Sequence, residues 1–197
     1  MVIEPQRRTG LAAVLSGLLF FAGQAGELIF GSPSRAVNVL WVLLAGAGLI
    51  ALAIAVWGLR PLVRTNRRGR AGWWLATAGA ALLILFAVQA AISVTRTGQV
   101  PENFVLFLLG FLLLAMGQSL FAANLRRPIG WAWIMPLVAV LGLIVALTAT
   151  DALGPTHDIG LFLFEAAWVV LGIALMRHGF RMTTSTLNET APSQRRR

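Results

Sequence analysis

Six long apolar runs, separated by short segments that carry arginine or proline, constrain this 197-residue chain more than any other feature. A helix needs about 20 mostly apolar residues to cross the roughly 30 Å of hydrocarbon in a bilayer. The sequence, with its 58% hydrophobic content, therefore predicts an all-α, polytopic membrane protein with a six-helix bundle. The predicted spans cover about 10–30, 37–59, 73–94, 103–123, 131–150 and 159–176.

The basic residues mark one side of this predicted bundle. All sixteen are arginines, and only Arg35 and Arg96 fall on the side opposite the other fourteen. Because basic loops are retained in the cytoplasm, both termini are predicted to be cytoplasmic. The absence of lysine and tyrosine, whose codons are AT-rich, is typical of a GC-rich bacterial genome. The predicted location is therefore the bacterial cytoplasmic membrane, crossed several times with the N- and C-termini inside.

The two ends of the chain each need a separate interpretation. Arg7, Arg8 and the small residues at 23–25 would also suit a cleaved secretory signal. We expect the first span to be retained, because its apolar stretch resumes through Phe30 and is long enough to cross. Residues 1–182 are predicted to form the transmembrane domain. The Ser/Thr-rich, basic segment 183–197 is predicted to be a disordered cytoplasmic tail.

An internal repeat is one interpretation of the polar residues. A shift of 65 residues aligns Gln24 with Gln89 and Asn38 with Asn103. Amides in hydrocarbon are costly, so these matches carry more information than matches between apolar residues. Duplication of a two-helix hairpin and chance similarity both account for them.

Polar residues in the outer half of the spans form the candidate ligand site. With a rise of 1.5 Å per residue, Gln24, Gln89 and Glu165 lie at similar depth below the outer surface. We expect their side chains to converge on one outward-facing pocket that binds a cationic group or protons. The candidate ligand-binding residues are Gln24, Glu27, Asn38, Gln89, Asn103, Glu165, Trp41 and Trp168. The alternative is structural: Glu27 and Glu165 reach headgroup water, and the glutamines bridge helices.

A second candidate surface lies between the second and third spans. Five arginines follow the second span and are predicted to contact anionic lipid at the cytoplasmic face. They are Arg60, Arg64, Arg67, Arg68 and Arg70. Their position beside a span favours lipid over DNA or RNA, and no nucleic-acid partner is predicted.

The composition also limits the chemistry. The chain has no cysteine, no lysine and only two histidines, which fall on opposite predicted sides. It therefore lacks Cys ligands, a Schiff-base lysine and a pair of haem-binding histidines, and no metal or cofactor is predicted. Neither histidine is placed to act as a base for Ser119, so a serine nucleophile is not predicted either. We expect no enzymatic activity.

Three functions remain open. The first is binding or transport of a small molecule or lipid through the outward-facing polar pocket, by a transporter or a substrate-capturing subunit. The second is a non-catalytic structural or regulatory subunit, which would need a membrane-protein partner or a second copy of the chain. The third is a lipid-modifying enzyme, which would require a second ionisable residue within hydrogen-bond reach of Glu165. A pocket predicts convergence of Gln24, Gln89 and Glu165 on a shared void, whereas a scaffold predicts that they pair with neighbouring helices.

Overall fold

The chain folds as a bundle of helices in the computed structural model, which describes residues 3–30, 34–64, 66–99, 101, 105–148 and 156–190. No strand occurs within these ranges. The helices are α1 (Ile3–Phe30), α2 (Arg35–Gly58), α3 (Arg60–Val63), α4 (Arg67–Thr97), α5 (Val105–Phe121), α6 (Arg126–Ile129), α7 (Met135–Thr148) and α8 (Thr156–Thr190). Short 3₁₀ segments at Ala122–Leu125 and Gly130–Ile134 flank α6.

Within the described residues, five helices are long and apolar enough to cross a membrane, which confirms the predicted all-α class and is consistent with a helical membrane bundle. The five stretches are Gln6–Phe30, Arg35–Gly58, Arg67–Thr97, Val105–Leu125 and Ile159–Arg177. The predicted fifth span is a shorter apolar stretch, Gly130–Ala146. It starts as a 3₁₀ segment and becomes α-helical at Met135. Pro136 thus occupies the first turn of α7, where its missing N–H leaves no hydrogen bond unmade.

The C-terminal segment differs from the prediction. Helix α8 continues to Thr190, so residues 183–190 are helical where the composition predicted disorder. No proline interrupts the chain between Pro155 and Pro192, which allows the apolar helix to propagate into the polar sequence. Residues 191–197 lie outside the described residues.

Six of the described helices form a ring in chain order, namely α1, α2, α4, α5, α7 and α8. Each helix packs against the next one in this order, and α8 closes the ring by packing on α1. The contact between α5 and α7 is the least extensive of the six. At one end, hydrogen bonds between Asn66 and Asn124 join the arginine-bearing links that precede α4 and follow α5. We call this the arginine-rich end. The other end, where α1 stops at Phe30 and α2 starts at Arg35, is the arginine-poor end.

Aromatic side chains fill the centre of the ring. The ring of Phe164 lies 6.4 Å from that of Phe20 on α1, 6.0 Å from that of Phe111 on α5 and 6.5 Å from that of Trp168 on α8. All four side chains are buried. The middle of the bundle is therefore a packed apolar core.

Glycines bring several helix backbones together. Gly79 on α4 faces Gly110 on α5, and a methyl group on Gly79 would lie 2.6 Å from the carbonyl oxygen of Gly110. The pair Gly142 and Gly160 does the same for α7 and α8. Lipid gives helices no hydrophobic reason to associate, so close backbone contact supplies the van der Waals energy that holds them.

Candidate functional site

A cavity of about 180 Å³ lies near the arginine-poor end, between the second half of α1, the first half of α2 and the facing parts of α4 and α5. We call it the α1–α2 cavity. Its apolar wall includes Phe20, Leu49, Phe86 and Phe107, and small residues on α1 and α2 leave the space open. Three of the predicted ligand-binding residues line it, namely Gln24, Glu27 and Trp41.

An amide and a carboxylate supply the polarity of this cavity. Gln24 and Glu27 lie three residues apart on α1 and therefore share one face of the helix. The Oε1 atom of Gln24 is buried and accepts no hydrogen bond from the described residues. The Glu27 side chain is exposed. A ligand in the cavity would thus meet the Glu27 carboxylate, which accepts hydrogen bonds, beside the Gln24 amide, which both donates and accepts them.

Trp41 forms an aromatic wall beside these acceptors. Its indole is stacked on Phe30, with 6.5 Å between ring centroids and 18° between planes. The indole passes so close to Gly26 that a methyl group there would overlap it. Gly26 therefore allows Trp41 to lie flat against α1.

An apolar groove lies beside the cavity, along the outside of α2 and α4. The groove has a volume of about 320 Å³ and shares Val42, Gly46 and Ala87 with the cavity wall. We call it the α2–α4 groove. Its remaining lining residues are all apolar, including Ile50 and Ile84 further along the two helices. The site thus has a polar part and an apolar part that are adjacent.

Asn38 does not line the cavity, although the sequence placed it in the ligand site. Its Nδ2 donates to the carbonyl oxygen of Gly98 at 3.1 Å, and Nε of Arg35 donates to that of Val94 at 3.2 Å. Gly98 ends α4 with a φ of 78°, a conformation that glycine adopts without strain. Asn38 and Arg35 therefore join the start of α2 to the C-terminal end of α4.

The predicted convergence of polar groups from three helices is wrong. Gln89 is exposed on the outside of α4 and does not line the cavity. Glu165 is 2% exposed and lies in the α1–α8 contact, where Gly17 packs against its backbone. Gln24, Gln89 and Glu165 thus occupy three environments, and the non-equivalence of Gln24 and Gln89 gives no support to a repeat. Asn103 lies outside the described residues.

The core holds polar groups that the described residues leave without hydrogen bonds. They are both carboxyl oxygens of Glu165, Nε1 of Trp168, and Oε1 and Nε2 of Gln118. Glu165 and Trp168 are three residues apart on α8, so they share a face but do not pair. A carboxyl group so placed is accommodated either as the neutral acid or with a cation. An acid–base pair at Glu165, which a lipid-modifying enzyme would need, is not formed by the described residues.

The five predicted lipid-contacting arginines divide into two groups at the arginine-rich end. The guanidinium carbons of Arg60 and Arg64 lie 5.5 and 5.3 Å from the ring centroid of Trp73. Arg67, Arg68 and Arg70 occupy the first turn of α4 and are exposed. The prediction from sequence did not separate these groups, because contact with Trp73 depends on the short helix α3 turning the chain back.

Within the described residues, no group of three or more His, Asp or Glu side chains is placed to hold a metal ion.

The sequence matches no protein-family model, no curated protein and no solved structure. The class of the protein is therefore defined by its fold alone, a helical bundle consistent with a multi-pass membrane protein.

Proposed function

We propose that the protein binds an amphiphilic, lipid-like molecule taken from the bilayer, without chemical conversion. The polar head occupies the α1–α2 cavity and the apolar chain follows the α2–α4 groove. The observation that carries this proposal is that the two spaces are adjacent and share Val42, Gly46 and Ala87 in their walls. An apolar groove beside a cavity with polar side chains suits a molecule with the same division.

The lining of the cavity favours a positively charged or donor-rich head. Glu27 contributes a carboxylate and Gln24 an amide, while the electron-rich face of Trp41 attracts cations. Of the two arginines at this end, Arg35 already donates to the carbonyl oxygen of Val94, and neither Arg35 nor Arg96 lines the cavity. An alkylammonium group therefore fits this chemistry, whereas a phosphate or sulfate head would meet the Glu27 charge without a cation in the lining.

We also propose that the arginine-rich end faces the cytoplasm of a bacterial cell, which directs the cavity outward. The distribution of fourteen arginines against two supports this orientation. Because the chain has no cysteine, single substitutions report sidedness directly. A membrane-impermeant maleimide should label Ser34→Cys in intact cells and Arg68→Cys only after permeabilisation. The opposite labelling pattern would reverse the proposed orientation.

Binding is tested with purified protein and three single-chain amphiphiles of equal chain length. The heads are trimethylammonium, phosphocholine and sulfate, each present below its critical micelle concentration in a neutral detergent. We expect the trimethylammonium compound to raise the melting temperature most and the sulfate compound least. Equal shifts for all three would show non-specific partitioning and contradict the proposal.

Two amides provide a matched pair of variants. Gln24→Leu removes an amide from the cavity wall, whereas Gln89→Leu makes the same chemical change on the outside of the bundle. We expect Gln24→Leu and Glu27→Gln to weaken trimethylammonium binding about tenfold, roughly 1.4 kcal/mol each. Gln89→Leu should leave it unchanged. Equal losses from Gln24→Leu and Gln89→Leu would exclude the cavity as the site.

One observation favours the alternative function of a structural subunit. Gln89 exposes an amide on the outer face of a membrane-spanning helix, where lipid offers it no hydrogen bond. A helix from a partner or from a second copy would satisfy this amide. Cross-linking in native membranes tests the alternative: Gln89→Leu should abolish a cross-linked species that wild-type protein and Gln24→Leu both form.

A further inference from the structure

Hydrogen bonds in the described part of the link between α2 and α4 hold two arginines in place. Helix α3 forms a single turn, closed by hydrogen bonds from the N–H groups of Val63 and Arg64 to carbonyl oxygens at 3.1 Å each. Nδ2 of Asn124 donates to the carbonyl oxygen of Val63 at 2.7 Å, and Nδ2 of Asn66 donates to Oδ1 of Asn124 at 3.0 Å. The 3₁₀ segment after α5 thus fixes the position of the link.

Both arginines of this turn lie against one buried indole. Trp73 is 1% exposed, and its Nε1 donates to the carbonyl oxygen of Val56 at 3.0 Å. The guanidinium carbon of Arg60 lies 5.5 Å from the ring centroid of Trp73 and 5.9 Å from that of Trp57. That of Arg64 lies 5.3 Å from the Trp73 centroid. Cation–π attraction restricts both side chains, so their orientation is set before any ligand binds.

The two positive charges have no anionic partner among the described residues. The only described acidic side chains are those of Glu27, near the opposite end, and Glu165, inside the bundle. Nε of Arg64 is buried and has no hydrogen-bond partner there. Two like charges on one aromatic ring repel each other. An anion whose oxygens contact both guanidinium groups would relieve this repulsion.

The surroundings indicate that this anion belongs to a lipid. Trp57 lies beside Arg60, the ring of Trp74 lies 4.7 Å from that of Trp73, and the two side chains are 53% and 57% exposed. Exposed tryptophans at the end of membrane-spanning helices lie at headgroup level. Arginine also matches the geometry of a phosphate through paired N–H donors.

We propose that Arg60 and Arg64 form a discrete binding site for the phosphate of an anionic lipid headgroup, with Trp57 and Trp74 against the adjoining part of the lipid. Arg67, Arg68 and Arg70 lie outside this site and contribute only long-range attraction. The site is independent of the α1–α2 cavity, which lies near the other end of the bundle. Failure of either proposal leaves the other untouched.

The experiment measures lipid binding one molecule at a time. Purified full-length protein in a neutral detergent is titrated with short-chain phosphatidylglycerol and, separately, phosphatidylcholine, and bound lipids are counted by native mass spectrometry. A neutral micelle lacks the collective field of an anionic bilayer, so direct contacts dominate. We expect Arg60→Gln with Arg64→Gln to weaken the first phosphatidylglycerol at least about tenfold and to leave phosphatidylcholine nearly unchanged.

A charge-matched control separates a discrete site from a diffuse basic patch. Arg67→Gln with Arg68→Gln removes the same two charges from exposed positions without contact with Trp73, and should weaken the first phosphatidylglycerol less than about threefold. Equal losses in the two double variants would overturn the proposal. Arg60→Lys with Arg64→Lys keeps the charge but removes the planar fork. It should weaken binding several-fold, and full retention of affinity would also overturn the site.

Two further arms complete the design. Inorganic phosphate at millimolar concentration should not displace phosphatidylglycerol, because it lacks the part of the lipid that contacts the tryptophans. Efficient displacement would assign the site to free phosphate instead. Melting temperatures of the variants, measured without lipid, should stay within a few degrees of wild type. If the glutamine double variant melts outside this range, Arg60→Lys with Arg64→Lys replaces it, since this variant retains both positive charges.

Discussion

Helix α4 packs against its two neighbours in opposite ways. On the α5 side, Gly79 and Gly110 let the backbones approach so closely that no side chain fits between them. On the α2 side, a methyl group on Gly46 would lie 3.6 Å from Cβ of Ala87, an ordinary contact, and a groove of about 320 Å³ remains. Both contacts use small residues, so small residues alone do not define a tight interface. The α4–α5 contact stabilises the fold, whereas the α2–α4 contact leaves room for a ligand.

The sharpest test of this contrast is a pair of glycine substitutions. Gly79→Val would force a branched side chain into backbone atoms of α5, and we expect a loss of about 3 kcal/mol in the free energy of unfolding. Gly46→Ala should change it by no more than about 0.5 kcal/mol. Unfolding by titration with a denaturing detergent measures both. Similar losses would show that α2 and α4 pack as tightly as α4 and α5.

A larger residue in the groove should affect binding more than stability. Gly46→Leu places an isobutyl group where the apolar chain of the proposed ligand lies. We expect trimethylammonium amphiphiles to bind about tenfold more weakly, a loss of about 1.4 kcal/mol, with little change in the melting temperature of the ligand-free protein. Unchanged binding would mean that the groove is merely a lipid-facing depression.

The sequence predicts position along a helix far better than direction around it. Helix positions follow from the length of each apolar run, and the rise per residue gives the position of Gln24 and Gln89 along their helices. Direction would have to come from a polar face, but these helices are apolar on all sides. The residues that determine which side of a helix borders the cavity, such as Gly26 beneath Trp41 and Gly46 beside Ala87, are glycines without a polar side chain. Gln24 and Gln89 therefore look alike in the sequence, although one lines a cavity and the other faces outward.

Contact with Trp73 was equally hidden in the sequence. Arg60, Arg64 and Arg68 are evenly spaced, yet only the first two lie on the indole. The reason is that α3 ends at Val63 and α4 starts at Arg67, with Asn66 as its N-cap. Asparagine is a preferred N-cap residue, so Asn66 indicates that a helix begins at Arg67. This signal places Arg67 and Arg68 in a different helix from Arg64.

The core glutamine extends the comparison from apolar packing to polar groups. Gln118 is fully buried, and neither of its amide atoms has a partner among the described residues. Leucine has a similar volume and needs no hydrogen bond, so we expect Gln118→Leu to raise the free energy of unfolding by about 1 kcal/mol. Gln24→Leu should change the free energy of unfolding less, because the Gln24 amide borders a cavity where water can hydrogen-bond to it. A destabilised Gln118→Leu would indicate a bound molecule that satisfies this amide.

The smallest expected effect concerns the closure of α2 on α4 at the arginine-poor end. Asn38→Ala removes the hydrogen bond to the carbonyl oxygen of Gly98 and should lower the free energy of unfolding by about 0.5–1 kcal/mol. Ser34→Ala is the matched control, since it removes a bond of similar strength from the start of α2, to the N–H of Val37. Only Asn38→Ala should speed amide hydrogen exchange at the end of α4, around Gly98. Faster exchange there in both variants would mean that the whole start of α2 unfolds as one unit. In that case the first turn of α2, and not the Asn38 side chain alone, would hold α2 against α4 at this end.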